Sequence, residues 1–223
     1  MFIRALLICV TMLGLSTSVL AQELTSQKEK FSYTIGYQMG LSLQSHELDL
    51  DKDMVLQAVR DALEGRDPKI SRQEMNTAIA EQRKIMQGKL QEQAAENLKR
   101  SNEFLEKNKQ REGVKVTDSG LQYEVLTKGD GASPKASDTV VVNYKGTLID
   151  GTVFDSSYER NTPATLPLNG VIKGWQEGLQ LMKEGAKYKF YVPADLAYGM
   201  KGAGDRIGPN EALIFEVELL KVE

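Results

Sequence analysis

Val140-Val-Val-Asn-Tyr144 and Phe215-Glu-Val217-Glu-Leu219-Leu220 decide how this chain folds. Val140, Val142 and Tyr144 alternate with Val141 and Asn143, and Phe215, Val217 and Leu219 alternate with Glu216 and Glu218, the period-2 pattern of half-buried strands. Between them Tyr188, Phe190 and Val192 alternate with Lys187, Lys189 and Tyr191, and Leu121 to Leu126 supplies another β-rich run. The pattern predicts an antiparallel sheet with one polar face. Asp150-Gly151 predicts a two-residue hairpin joining Val140–Leu148 to Thr152–Asp155. Trp175, Leu179 and Met182, spaced i, i+4 and i+7, put one short helix against that sheet.

Working outward, glycine, proline and aromatic residues gather after Gly113, whereas Gln, Glu, Lys and Met dominate before it. The asymmetry predicts an α+β protein with a helical half and a β half. Ser26-Gln-Lys-Glu29 opens a helix through Phe31, Ile35, Met39 and Leu43, and a second helix runs from about Asp51 to Leu63 before Gly65. Both are too short to hold much core. Their apolar faces, with Gly36 and Gly40 spaced for close approach, point either to a second copy of the chain or to each other. Ser71-Arg-Gln-Glu74 opens a third helix that meets no strong breaker before Gly113. Its apolar stripe, Met75, Ile79, Met86, Leu90, Leu98 and Leu105, is thin and keeps no heptad, so it reads as a solvated strut. Glu112–Ser119 reads as a hinge into the β domain.

Arg4, the apolar run from Ala5 to Leu15 and Val19-Leu20-Ala21 form a secretory signal peptide with cleavage expected after Ala21. The apolar run is short for a membrane anchor, which needs about 20 residues. Cys9 is the only cysteine and lies inside that segment, leaving no thiol or disulfide in the mature chain. A net charge of −3 without long runs of either sign argues against nucleic acid as a partner. The single histidine, His46, has no serine in a strand-to-helix elbow to accompany it, which argues against a Ser-His-Asp hydrolase. The β half lacks clustered metal ligands, and no cofactor is expected. Gly202-Ala-Gly204 with Gly208 lacks a GKS/T ending and reads as a flexible surface loop, not a phosphate loop.

The order Tyr144, Gly151-Thr-Val-Phe154-Asp155-Ser156-Ser157, Arg160, Val171-Ile172-Lys-Gly-Trp175, Ala197-Tyr198-Gly199 and Phe215-Glu-Val217-Glu-Leu219-Leu220 resembles the FK506-binding (FKBP) type of peptidyl-prolyl cis-trans isomerase. With its helical half the chain is similar to the dimeric macrophage infectivity potentiator (Mip)-like group. The resemblance implies a signal peptide (1–21), a helical dimerisation domain (22–70), a long connecting helix (71–112) and an FKBP-type isomerase domain (113–223), an antiparallel β-sheet wrapped on a short helix.

It also implies roles. Trp175 is the pocket floor, with Tyr144, Phe154, Val171, Ile172, Tyr198 and Phe215 as walls and Ile207 as a further substrate contact. The Ile172 N–H and the Tyr198 hydroxyl hold substrate carbonyls, and Asp155, braced by Tyr144 and Arg160, orients polar groups at the rim. Ala164 and Leu166 stand where larger aromatic residues are common, and Arg206 where a hydrophobic one is, so a wider wall and an altered peptide preference are expected. The implied partners are unfolded or proline-containing polypeptides, a second copy of the chain through residues 22–70, and macrolide inhibitors. The implied location is the periplasm, the outer membrane or the cell surface. An isomerase, a non-catalytic chaperone and an adhesion or virulence surface protein all remain open at this point.

Overall fold

The computed structural model describes residues 24–45 and 49–223; the segment read as a signal peptide and His46 lie outside them. Two compact units, Met1–Ile70 and Ser71–Glu223, make up the chain.

In the first unit, α1 spans Gln27–Ser45 and α2 spans Lys52–Leu63. The expected capping box opens α1: Glu29 N–H donates to Ser26 Oγ and Ser26 N–H to Glu29 Oε2. Asp51 caps α2 by accepting from the Asp53 and Met54 amides, and Gly65, at φ 69°, follows its end. Phe31, Ile35, Met39 and Leu43 are exposed, and so are Tyr33, Tyr37 and Leu41, which α-helical geometry puts on a different side of α1. α2 has no buried residue.

In the second unit, α3 runs over Arg72–Asn108 from a complete Ser71/Glu74 capping box and passes Gly88 unbroken, about 55 Å at 1.5 Å per residue. The strands are β1 (Val114–Val116), β2 (Gln122–Thr127), β3 (Thr139–Leu148), β4 (Val153–Ser156), β5 (Ala164–Pro167), β6 (Lys187–Val192) and β7 (Leu213–Val222). All pairings are antiparallel, in the order β1-β2-β6-β7-β3-β4, with β5 paired to the early half of β3. The predicted alternation holds: Val140, Val142, Phe190, Val192, Val217 and Leu219 are fully buried in one core. Helix α4 (Lys173–Gln180) lies on that core and brings Trp175 and Leu179 into it, with Met182 just beyond its end. It can approach closely because Gly174 and Gly178 face β6; a Cβ there would sit 2.5 Å from Val192 and 2.6 Å from Phe190.

Five expectations need correction. The β3–β4 hairpin does not turn on Asp150 and Gly151 as its central pair. The Gly151 N–H bonds to the Leu148 carbonyl, so Ile149 and Asp150 are central and Gly151, at φ 92°, follows in the left-handed region.

Tyr191 is not on a polar face, and α3 is not a solvated strut throughout. Ala94, Asn97, Ser101, Leu105 and Asn108 are buried, and Leu105 packs with Tyr191 and Ala212 on the sheet face opposite α4. Spacings of three and four residues make these positions one stripe, but it is half polar, so it carries no hydrophobic signal. Each amide in it is satisfied: Asn108 Nδ2 donates to Gln122 Oε1, and Gln122 Nε2 to the Leu105 carbonyl. Glu112–Ser119 is not a free hinge, since β1 within it pairs with β2 and the Arg111 guanidinium donates to the Asn108 amide oxygen and the Tyr191 hydroxyl. The 202–208 glycine segment is closed: Ala203 and Ile207 exchange both backbone hydrogen bonds.

Candidate active site

A cavity of about 690 Å³ opens over α4. It is lined by Tyr144 from β3, Phe154 and Asp155 from β4, Leu166 from β5, Gly170, Val171 and Ile172 before α4, Trp175 from α4, Tyr198, the turn Ala203–Ile207, and Phe215 from β7. Nine of the ten residues singled out from sequence therefore line one hollow. The tenth, Arg160, stands behind it and holds Asp155. Ala164 is half-buried against the core and does not line the cavity, so Leu166 alone forms the wall expected of the pair.

The aromatic walls brace one another. Tyr144 and Phe215 each meet Trp175 edge to face at 5.2 Å between centroids, and Phe154 meets Phe215 at 5.5 Å. Gly146 makes this contact fit, because a Cβ there would lie 2.6 Å from the Phe154 ring and 3.0 Å from Phe215. Sequence reading passed over Gly146, which carries no signal until the register places it opposite Phe215 and Asp155.

One cluster of charge lies at the edge of this apolar surface. The Tyr144 hydroxyl donates to Asp155 Oδ2, Arg160 Nη1 pairs with Asp155 Oδ1, and Arg160 Nη2 donates to the Tyr144 hydroxyl at 2.8 Å. Burial disfavours the Asp155 carboxylate, but the hydrogen bonds from Tyr144 and Arg160 and the arginine charge outweigh it and hold the carboxyl below its ordinary value. Burial pushes the Tyr144 and Tyr198 phenols up, and the Asp155 carboxylate adds to the effect in both. At neutral pH the Asp155–Arg160 pair thus sets one anion against one cation, beside two protonated phenols.

Two donors at the site, one backbone and one ring N–H, lack an acceptor among the described residues. The Ile172 N–H has no acceptor among the described residues; its own carbonyl accepts from Trp175 and Gln176, and Gln176 Nε2 fixes the preceding Val171 carbonyl at 2.7 Å. The buried Trp175 indole N–H also lacks a partner. Arg206 is exposed at the rim, with Nη1 donating to the Phe154 carbonyl at 3.0 Å. The lining contains no serine, threonine, cysteine, histidine or lysine, and its Asp155 carboxylate is already engaged by Tyr144 and Arg160.

Residues 131–220 match the family profile described as FKBP-type peptidyl-prolyl cis-trans isomerase, and residues 28–125 that of the domain amino-terminal to it. The outer membrane protein MIP of Legionella longbeachae is 40% identical over 218 residues, covering 95% of this chain and 94% of that protein. The chain belongs to the FKBP-type peptidyl-prolyl cis-trans isomerases. Within that family it is also 42% identical over 212 residues to the peptidyl-prolyl cis-trans isomerase Mip of Coxiella burnetii, covering 93% and 92% of the two chains. The crystal structure of FkpA from Escherichia coli superposes with a TM-score of 0.66 at 40% identity, over 90% of this chain and 99% of that one. An FKBP-type isomerase has no bond to break, which agrees with an aromatic hollow that offers no serine, cysteine or lysine.

Proposed function

We propose that this isomerase accelerates rotation about Xaa-Pro bonds of unfolded or proline-containing polypeptides in the cell envelope, with the prolyl ring seated against Trp175. The observation that carries this reading is the apolar cavity with its single braced carboxylate and unpaired donors. Amide resonance imposes a barrier of about 18–20 kcal/mol, and free Xaa-Pro bonds exchange in roughly tens to hundreds of seconds. Resonance separates charge along the planar amide, and twisting removes that separation. Walls of Phe154, Phe215, Trp175 and Tyr144 replace water with apolar surface around the amide, which favours the twisted form over the planar one. The Ile172 N–H and the Tyr198 hydroxyl would hold the flanking carbonyls while the bond turns, and Asp155, fixed by Tyr144 and Arg160, would set the field at the rim. Val171 and Ile207 would close the walls, and macrolides would compete for the same hollow. The direct test is two-dimensional exchange NMR on an Ala-Leu-Pro-Phe peptide. Catalytic protein should raise the cis-trans exchange rate in proportion to its concentration; exchange no faster than in buffer would refute the reading.

The ionisation states give a second expected result. The Asp155 carboxylate, depressed below its ordinary value of 3.8, stays charged across neutrality, and its contribution is lost only as the pH falls through that depressed value. Tyr144 and Tyr198, raised above 10.0, stay protonated. The pH profile of kcat/KM is therefore flat across neutrality, and an inflection near the histidine range, about 6.5, would contradict the assignment.

Arg206 brings a cation to the rim, and an acidic residue before proline should gain from it. Arg206→Leu is expected to shrink the rate advantage of a Glu-Pro peptide over a Lys-Pro peptide by about two- to fivefold, the scale of an exposed ion pair. Raising the salt concentration should have the same effect on the parent protein.

Residues 22–70 are proposed to form the dimerisation domain, residues 71–112 the connecting helix and residues 113–223 the isomerase domain. Helix α1 exposes apolar side chains on more than one side, surface that is stabilised when a partner removes it from water. A second copy of the chain is the cover proposed here. The paired units would then hold client chains near the isomerase sites, adding a chaperone function. The signal-like segment Met1–Ala21 and the name of the Legionella relative support an address in the periplasm, with association to the outer membrane or the cell surface. No helix among the described residues is long and apolar enough to cross a membrane.

A further inference from the structure

The loop that leaves the cavity at Ile207 and returns to the sheet at Ala212 is tied from behind to α3. Asn97 Nδ2 donates to the Pro209 carbonyl at 2.9 Å, and the Ser101 hydroxyl donates to the Asn210 carbonyl at 3.0 Å. The same hydroxyl accepts the Ala212 N–H at 2.8 Å, and Asn210 Nδ2 donates back to the Ala94 carbonyl at 3.2 Å. Asn97 and Ser101 are 4% and 1% exposed, so these bonds are shielded from competing water. Gly208 permits the approach, since a Cβ there would lie 3.1 Å from Asn97 Nδ2.

Asn210 sits in the left-handed region at φ 56°, and its N–H donates to the Gly199 carbonyl at 2.8 Å. Gly199 is the neighbour of Tyr198, and Pro209 is two residues from Ile207, both of which line the cavity. One residue in a conformation uncommon for a side-chain-bearing amino acid therefore joins the helix to both arms of the cavity loop. That conformation, which asparagine adopts more readily than most residues, is held between the Gly199 carbonyl on one side and Ala94 and Ser101 of α3 on the other.

We propose that Asn97 and Ser101 are positioning residues of the isomerase site, acting through Pro209 and Asn210 on Ile207 and Tyr198. The proposal rests on the isomerase reading above. A loosened seam leaves the cavity loop in its binding geometry for only a fraction of the time. Apparent substrate affinity falls by that fraction, while the bound, ordered complex turns over as before. Ser101→Ala and the isosteric Asn97→Asp, made in the full chain, should raise KM for the Ala-Leu-Pro-Phe peptide by about three- to tenfold with kcat little changed. Ser101→Thr, which keeps the hydroxyl, should restore KM, and Glu103→Ala on the exposed side of α3 should leave it alone.

Coupling is reciprocal, so saturating the unsubstituted protein with the peptide should slow hydrogen exchange of the Asn210 and Ala212 amides. Variants that fold and keep the parent KM would show the seam to be structural only and overturn the proposal. Unchanged exchange at Asn210 and Ala212 on peptide saturation would overturn it even if no variant folded. A parent protein without isomerase activity would instead defeat the functional reading on which it rests.

Discussion

Asp155→Leu is expected to lower kcat/KM for proline peptides by roughly ten- to a hundredfold, less than the roughly hundred- to thousandfold lost with a fully enclosed oxyanion-hole donor because this carboxylate is partly exposed. The loss should fall mainly on kcat. The carboxylate contributes little apolar contact to the proline ring, but it holds Arg160 and the Tyr144 hydroxyl in place, and both are left without their anionic partner by leucine. Circular dichroism and melting should stay close to those of the parent, because the Asp155–Arg160 pair is partly exposed and contributes little to stability. Tyr198→Phe deletes one hydroxyl from a half-exposed ring and should cost less, about five- to tenfold, the worth of a single hydrogen bond. Neither change touches the helical unit, so suppression of aggregation of an unfolded client should survive in both. A variant at position 155 with activity within twofold of the parent would remove the carboxylate from the mechanism. Loss of both activities together would point to misfolding instead.

The second large effect is expected at α1. Ile35→Glu with Met39→Glu should convert a dimer to a monomer at micromolar concentration, read as a halved mass by analytical ultracentrifugation. Both side chains are exposed within a single chain. Charge at those positions would cost an isolated chain little, but burying two unpaired carboxylates in an interface would cost several kcal/mol. The monomer should still isomerise a short peptide, because the cavity lining comes entirely from residues 144–215 of one chain. It should lose much of its ability to hold an unfolded protein, since the proposed cleft needs two copies. A parent protein that sediments as a monomer would sink the assignment of residues 22–70 to dimerisation, and an undiminished dimer after both substitutions would place the interface elsewhere.

The contrast between the two faces of the sheet explains how much was legible beforehand. Burial by apolar side chains writes itself into sequence as periodicity, so β3, β6, β7 and the α4 spacing of Trp175 and Leu179 could be read directly. Capping does the same: Ser26/Glu29 and Ser71/Glu74 announced helix starts that the structure retains. The residues that line the cavity were legible as a set because their order along the chain resembles a known family, not because any one of them signals chemistry. Asp155 on β4 and Arg160 in the turn after it are five residues apart, and only the fold brings the Tyr144 hydroxyl to both.

What stayed hidden was contact made by polar or absent side chains. Asn97, Ser101 and Asn108 look like a solvated helix surface until Pro209, Asn210, Ala212 and Gln122 arrive from more distant parts of the chain to satisfy them. Gly146 looks like any strand glycine until Phe154 and Phe215 fill the space its missing Cβ leaves. By itself the sequence determined the α+β division, the core-facing residues and the helix starts, because local periodicity and capping depend only on neighbours along the chain. Tertiary structure alone decided that the last turns of α3 belong to the isomerase unit and that its cavity loop is held from behind, because a hydrogen bond between distant residues leaves no period to read.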